Sequence, residues 1–197
     1  DTDDTDGNDN TDTNADDPPK RDSVEALKRA EKGDAVMLAQ VLDKCSENTQ
    51  IALTVLLSIG AMCGDGRDAP ARRVEFGAGG ALPRVVMAMR ARTGDAELQG
   101  AGIMAMHALA IDNHKNTAAL GEAGAAETIT AAMTAHPTDG ALQAAGCKAI
   151  KVLAVDPQNV HELGCCGSCG AVVHAMHGFP QDSDVQYHAC WAIFKLA

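Results

Sequence analysis

The chain has 197 residues, a formal net charge of -11 and 46% apolar residues, yet only one Trp, one Tyr and three Phe. This length fits one ordinary domain, and an Ala-rich, aromatic-poor apolar fraction favours closely packed helices over sheets, because Ala is the best helix former. The acidic charge argues against nucleic acid and against an anionic membrane surface as partners, and no apolar run approaches the ~20 residues that span a bilayer.

Residues 1–23 are expected to be a disordered acidic leader. Up to Asp22 they hold nine aspartates against Lys20 and Arg21, and their only apolar side chains are Ala15 and two prolines. Such a segment cannot bury enough surface to offset the entropy of ordering it. A solubilising linker accounts for it; an acidic interaction tail, or phosphorylation at its threonines, is the functional alternative.

Residues 24–197 read as one array of repeats, with units at about 35–76, 77–120, 121–163 and 164–197. The first unit is the faintest. It contains "MLAQVLDKCSENTQIALTVLLSIGA" from Met37 to Ala61, where Gln50 and Ala61 are eleven apart, as Gln99 and Ala110 are. A loop and a short helix over "CGDGRDAPARRVEFGAGGALP" lead into the next unit. The other three units align with offsets of 44 and then 43 residues. Gln99, Gln143 and Gln186 correspond, as do the closing pairs Leu109-Ala110, Leu153-Ala154 and Leu196-Ala197. Gly80, Gly124 and Gly167 match upstream, as do Met89, Met133 and Met176.

Each unit parses into three helices. In the third unit a short helix from Asn116 to Glu122 ends at Gly124, because Gly tolerates the left-handed C-terminal conformation. A second, about Ala125 to Ala135, ends before "HPTDG", a run of turn residues. A third runs from about Ala141 to Val155 and is terminated by Asp156 and Pro157. Apolar columns pass through the units: Val85, Ile129 and Val172; Ile103, Cys147 and Cys190; Met106, Ile150 and Ile193; Leu109, Leu153 and Leu196. Along the third helix their spacing of three or four residues makes one stripe. One unit cannot bury that stripe alone, whereas stacked neighbours can. The Met column reads as adaptable core packing.

A period in the forties, three helices per unit, the "GEAGAAETI" opening and the "LQ...A...A...LA" third helix resemble the armadillo repeat, in the divergent form of protist and algal proteins. They are also similar to the armadillo region of leucine-rich-repeat kinases. The resemblance implies an all-α fold, a right-handed armadillo-like α-solenoid of about four three-helix repeats whose third helices line a concave groove. It implies a non-catalytic protein–protein interaction scaffold or adaptor that binds a protein or peptide segment in that groove. In the peptide-binding branches a Trp and an Asn four residues apart hold the peptide. The Trp positions fall here at Met104, Lys148 and Trp191, and the Asn positions at Ala108, Val152 and Lys195, so Trp191 alone matches.

Tyr187 precedes Trp191 by four residues and Lys195 follows by four, which sets all three on one helix face. With Lys148 and Lys151 further along the groove they form an aromatic and cationic stripe suited to an apolar or acidic partner segment. Phe194 lies beside them, towards the place where another repeat would stack, and further repeats or domains after Ala197 are one expectation. A regulatory armadillo arm of a larger kinase or other multidomain enzyme is the alternative function.

A second alternative is a zinc- or redox-responsive module from Cys165 to His177, in "HELGCCGSCGAVVHAMH". Cys166 and Cys169 form C-x2-C, and His174 and His177 follow as H-x2-H, residue types that hold Zn. No second C-x2-C accompanies them. In the repeat register Cys166 aligns with Ala123, Cys169 with Ala126, His174 with Ala131 and His177 with Thr134. Thiols acting as small hydrophobes and surface imidazoles are therefore expected, with no metal and no cofactor. The glycine runs lack a Lys-Ser/Thr and a preceding strand, so they are helix ends and not phosphate loops. His107 is expected on the third-helix surface, and no residue is assigned to catalysis. The seven cysteines follow helix patterns, so they read as reduced thiols of a cytoplasmic or nuclear protein.

Overall fold

A computed structural model describes residues 35–44 and 48–197 of the protein, and these form eleven α-helices and no strand. The acidic leader falls outside the described residues. The helices are α1 (Ala35–Lys44), α2 (Thr49–Cys63), α3 (Ala69–Ala78), α4 (Ala81–Arg90), α5 (Ala96–Ala110), α6 (His114–Glu122), α7 (Ala125–Ala135), α8 (Gly140–Leu153), α9 (Pro157–Cys165), α10 (Ser168–Gly178) and α11 (Ser183–Leu196). The pair α1–α2 is followed by three sets of a short, a middle and a longer helix: α3–α5, α6–α8 and α9–α11. Among the described residues no helix is long and apolar enough to cross a membrane.

Capping residues set the boundaries. Asp95 and Asp139 each accept a hydrogen bond from the backbone N–H three residues on, at Leu98 and Leu142, both at 3.0 Å. Asp182 does the same for Val185 at 3.0 Å. A helix leaves its first N–H groups without partners, and a short carboxylate side chain satisfies them. Asp156 and Pro157, expected to end α8, instead begin the next helix. Asp156 accepts from the N–H groups of Gln158 and Asn159, and Pro157 occupies the first helical position, where a missing N–H costs nothing. The short helices α3, α6 and α9 hand over to the middle ones through Gly80, Gly124 and Gly167, whose φ values of 74°, 85° and 81° lie in the left-handed region.

Within each set, a glutamine of the longer helix ties down the end of the middle one. Gln99 Nε2 donates to the carbonyls of Met89 (2.7 Å) and Arg92 (2.9 Å). Gln143 donates to Met133 (2.8 Å) and His136 (3.0 Å), and Gln186 to Met176 (2.8 Å) and Phe179 (3.0 Å). Gln50 departs from this column. It is exposed in the first turn of α2, because the first set does not share the register of the other three there.

Between the last three sets, an asparagine makes the joint, whereas α3 is tied to the end of α2 by Arg73, which donates to Cys63 O (2.8 Å) and Gly64 O (2.6 Å). Asn116 Nδ2, on α6, donates to Leu109 O on α5 (2.9 Å) and to Arg73 O on α3 (2.8 Å). Asn159, on α9, repeats this with Leu153 O on α8 (3.2 Å) and Thr117 O on α6 (2.9 Å). Each carboxamide fits because the facing residue of the preceding set is glycine. A Cβ at Gly77 would overlap Asn116, and one at Gly121 would overlap Asn159.

One continuous apolar cluster runs from Ala35 to Ala192 through all the sets. Met89 and Met133 are fully buried, and each fills the space where a Cβ of Gly102 or Gly146 would sit, whereas Met176 is half-buried. Val85, Ile129 and Val172 are buried alike. The third-helix columns are buried as far as Cys147, Ile150 and Leu153. In the last set Cys190 is exposed, and Ile193 and Leu196 are half-buried, since no described helix lies against their outer side.

Gly121→Ala is expected to destabilise the protein by roughly 1–3 kcal/mol, through overlap with the Asn159 amide and loss of its hydrogen bonds. Gly100, inside α5 with nothing within 4 Å of an added Cβ, is the control. Gly100→Ala is expected to stabilise by up to ~1 kcal/mol, since Ala is the better helix former. Urea unfolding of the two variants should give shifts of opposite sign.

Candidate partner-binding groove

The longer helices α2, α5, α8 and α11 pack side by side, with each one against the next. Their inward faces carry the apolar columns, so their opposite faces form one continuous surface. Small residues at Gly60, Gly100, Ala101, Ala144 and Ala145 keep this surface low, and three adjoining depressions open on it.

The first, of about 520 Å³, lies over Leu57, Met104, Lys148 and His188, with Glu97, Asp139 and Asp184 along one edge. The second, of about 460 Å³, shares Leu57, Met104 and Lys148 and reaches His107 and Ile111. The third, of about 390 Å³, is lined by Ile111, Lys151, Val155, Tyr187, Trp191 and Lys195. Of the five residues expected from the sequence, Tyr187, Trp191, Lys195 and Lys151 therefore surround one depression, and Lys148 lines the two beside it.

Tyr187 is 57% exposed and Trp191 42%. Lys151 Nζ sits 6.0 Å from the centre of the Tyr187 ring, within reach of a cation–π attraction. The Trp191 ring meets Phe194 edge to face at 5.8 Å, which holds the indole in place. Exposed Leu57 and Met104 extend the apolar floor towards α2. Met104 stands in the Trp column of the repeat, a signal that pointed to it; Leu57 had none, because α2 is apolar along most of its length. The acidic edge was also missed. Glu97 and Asp184 lie in first helical turns and Asp139 is a cap, where carboxylates are explained by the helix dipole alone.

His107 is a correction to the sequence reading. It was expected on the surface but is 7% exposed, because the middle position of the array puts α8 over a column that is open in α11, at Phe194. Burial, reinforced by the charges of Lys148, Lys151, His188 and Arg73, drives its pKa down to about 3. His188 is also held below the ordinary imidazole range, by burial first and then by Lys151 and Lys148, against an opposing pull from Asp184. Its Nδ1 is the one buried side-chain nitrogen or oxygen among the described residues that lacks a hydrogen-bond partner. Lys151 itself is lowered by burial and by Lys148. The groove thus has a cationic side, at Lys148, Lys151 and Lys195, and an anionic edge.

The cysteine and histidine cluster does not converge. Cys169, His174 and His177 are exposed, while Cys166 is half-buried with its Sγ 3.2 Å from Ser168 Oγ and 3.4 Å from Thr130 Oγ1. Cys165 Sγ lies 3.6 Å from His161 Nε2. Among the described residues no three His, Cys, Asp or Glu side chains are placed to hold one metal ion. Cys63 and Cys147 are buried, and burial pushes both thiols up to about 12, so they stay protonated.

No protein-family model matches the sequence, and no curated protein matches it.

The His107 shift has a definite sign. Its folded pKa of about 3 lies below the ordinary value of 6.5, so between those values the unfolded chain takes a proton that the folded chain refuses. Stability is kept above pH 6.5 and lost as the pH falls towards 3. From pH 6.5 to pH 4.5 this loss is expected to reach roughly 2–3 kcal/mol. Urea unfolding at both pH values should show it, and His107→Gln should remove most of the slope, leaving the part due to His188.

Proposed function

We propose that this protein is a non-catalytic interaction scaffold, a right-handed armadillo-like solenoid whose longer helices line a groove for a partner segment. The recurrence of the Gln and Asn bonds at intervals of 43 or 44 residues supports the armadillo-like arrangement. A fold of this kind serves many functions, so the reading rests on the site. The observation that carries it is the depression of about 390 Å³ where exposed Tyr187 and Trp191 sit with Lys151 and Lys195. Two of the chain's few aromatic rings stand in water there, beside cations.

The segment that fits is apolar with flanking carboxylates. Its apolar side chain packs on Trp191 and Tyr187, and its acids meet Lys151, Lys195 and Lys148. Glu97, Asp139 and Asp184 repel acids at the other edge, which orients the segment along the groove and disfavours the reverse register.

Trp191 is the only tryptophan, so its emission reports directly on the groove. Peptides pairing an aromatic or aliphatic anchor with acids are expected to shift that emission and to bind more weakly as salt is raised. In a label-based assay, Trp191→Ala with Lys195→Glu should lower the affinity at least tenfold while the far-UV circular dichroism stays unchanged. A folded double variant that binds every such peptide as well as the parent does would refute the groove reading.

A further inference from the structure

The outer face of the last helix set is made of the same columns that the last two internal joints bury. At those joints Leu82, Val86 and Met89 of α4, and Ala126, Thr130 and Met133 of α7, are at most 8% exposed. Their counterparts on α10 are Cys169 and Val173, both exposed, and half-buried Met176. On α11, Cys190 and Phe194 are exposed and Ile193 is half-buried, where Ile103, Cys147, Met106 and Ile150 are fully buried. Such a face exposes a core column to water, and what covers it elsewhere in the molecule is known: the short helix and the following helices of the next set.

The polar half of the joint is also present and open. In the last two internal joints an Asn amide reaches the carbonyls of Arg73 and Leu109, or of Thr117 and Leu153. It rests over Gly77 or Gly121, which have no Cβ to obstruct it. In the last set the matching groups are the carbonyls of Val160 and Leu196 and the residue Gly164. Gly164 is again a glycine, yet an added Cβ there would meet nothing within 4 Å.

We propose that this outer face of α9, α10 and α11 is a docking joint for a further three-helix unit of the same pattern, one whose short helix presents an asparagine amide to Val160 and Leu196 over Gly164. The occupant is read from the joints on either side of α6–α8, where Asn116 and Asn159 stand eight residues ahead of Gly124 and Gly167 and each seats its amide over a glycine of the preceding set. The joint meets the lysine-lined groove at one contact, where Phe194 of this face packs edge to face on Trp191 at 5.8 Å.

The test uses Gly164→Ala in two proteins. In the chain itself the substitution is expected to raise the melting midpoint, because the Cβ is unobstructed and Ala favours the helix. The second protein carries a copy of residues 111–154 directly after Ala197, which holds the position of Ala110 in the repeat, so the copy supplies its own Asn116. There Gly164→Ala is expected to lower the midpoint, and Asn116→Ala in the added copy should cancel that loss. Amide exchange in α11 is expected to slow in the extended protein. Two results would overturn the proposal. One is Gly164→Ala stabilising the extended protein as much as the original, with α11 exchange unchanged. The other is self-association of the unextended chain in sedimentation that Phe194→Glu abolishes, which would make a second copy the occupant.

Discussion

A primary carboxamide nitrogen carries two hydrogens, and at five positions in this protein both are given to backbone carbonyls: Gln99, Gln143 and Gln186 within the helix sets, Asn116 and Asn159 between them. Helices of nine to eleven residues, such as α3, α4, α6, α7, α9 and α10, are marginal alone in water. They persist because each end is tied to another helix and each apolar stripe is covered. Each such bond contributes about 1 kcal/mol net, but a buried amide left without partners costs about 1–3 kcal/mol. The carboxamides therefore specify register more than they add stability. A helix shifted by one residue would strand both the amide and the carbonyls.

The same ties determine the outer surface. Because Gln and Asn anchor the ends, the longer helices stand side by side with Gly and Ala between them, and the close approach leaves shallow depressions instead of a sealed face. Charges are then sorted by helix chemistry. Carboxylates collect at helix starts, where they cap N–H groups and suit the dipole, and the lysines lie further along. The groove acquires two electrostatic sides without any residue being placed for that purpose alone. His107 lies under the cationic side as a neutral imidazole, kept so by burial and by the lysines near it. Tyr187, Trp191 and Phe194 share one helix but divide two roles. Tyr187 and Trp191 line the groove, while Phe194 turns towards the open end and steadies the indole.

Much of this was legible in the residues. The period, the three-helix division and the left-handed glycines followed from spacing and from the steric freedom of Gly, and α7 matches its expected limits. Tyr187, Trp191 and Lys195 were brought together by simple helical spacing, because four residues make about one turn. These properties are local: they depend on a dozen neighbouring residues and on backbone geometry. Tertiary structure decided what lies forty residues away. It buried His107 and left the aligned Phe194 exposed, since among the described residues a following helix covers one and none covers the other. It made the Gln column a set of clamps and matched each joint Asn with a glycine of the preceding set, whereas Asp156 starts a helix through local capping of Gln158 and Asn159. Column alignment shows that two positions are equivalent, but burial and hydrogen bonding depend on which helix is packed against them, and that contact is created only when the chain folds.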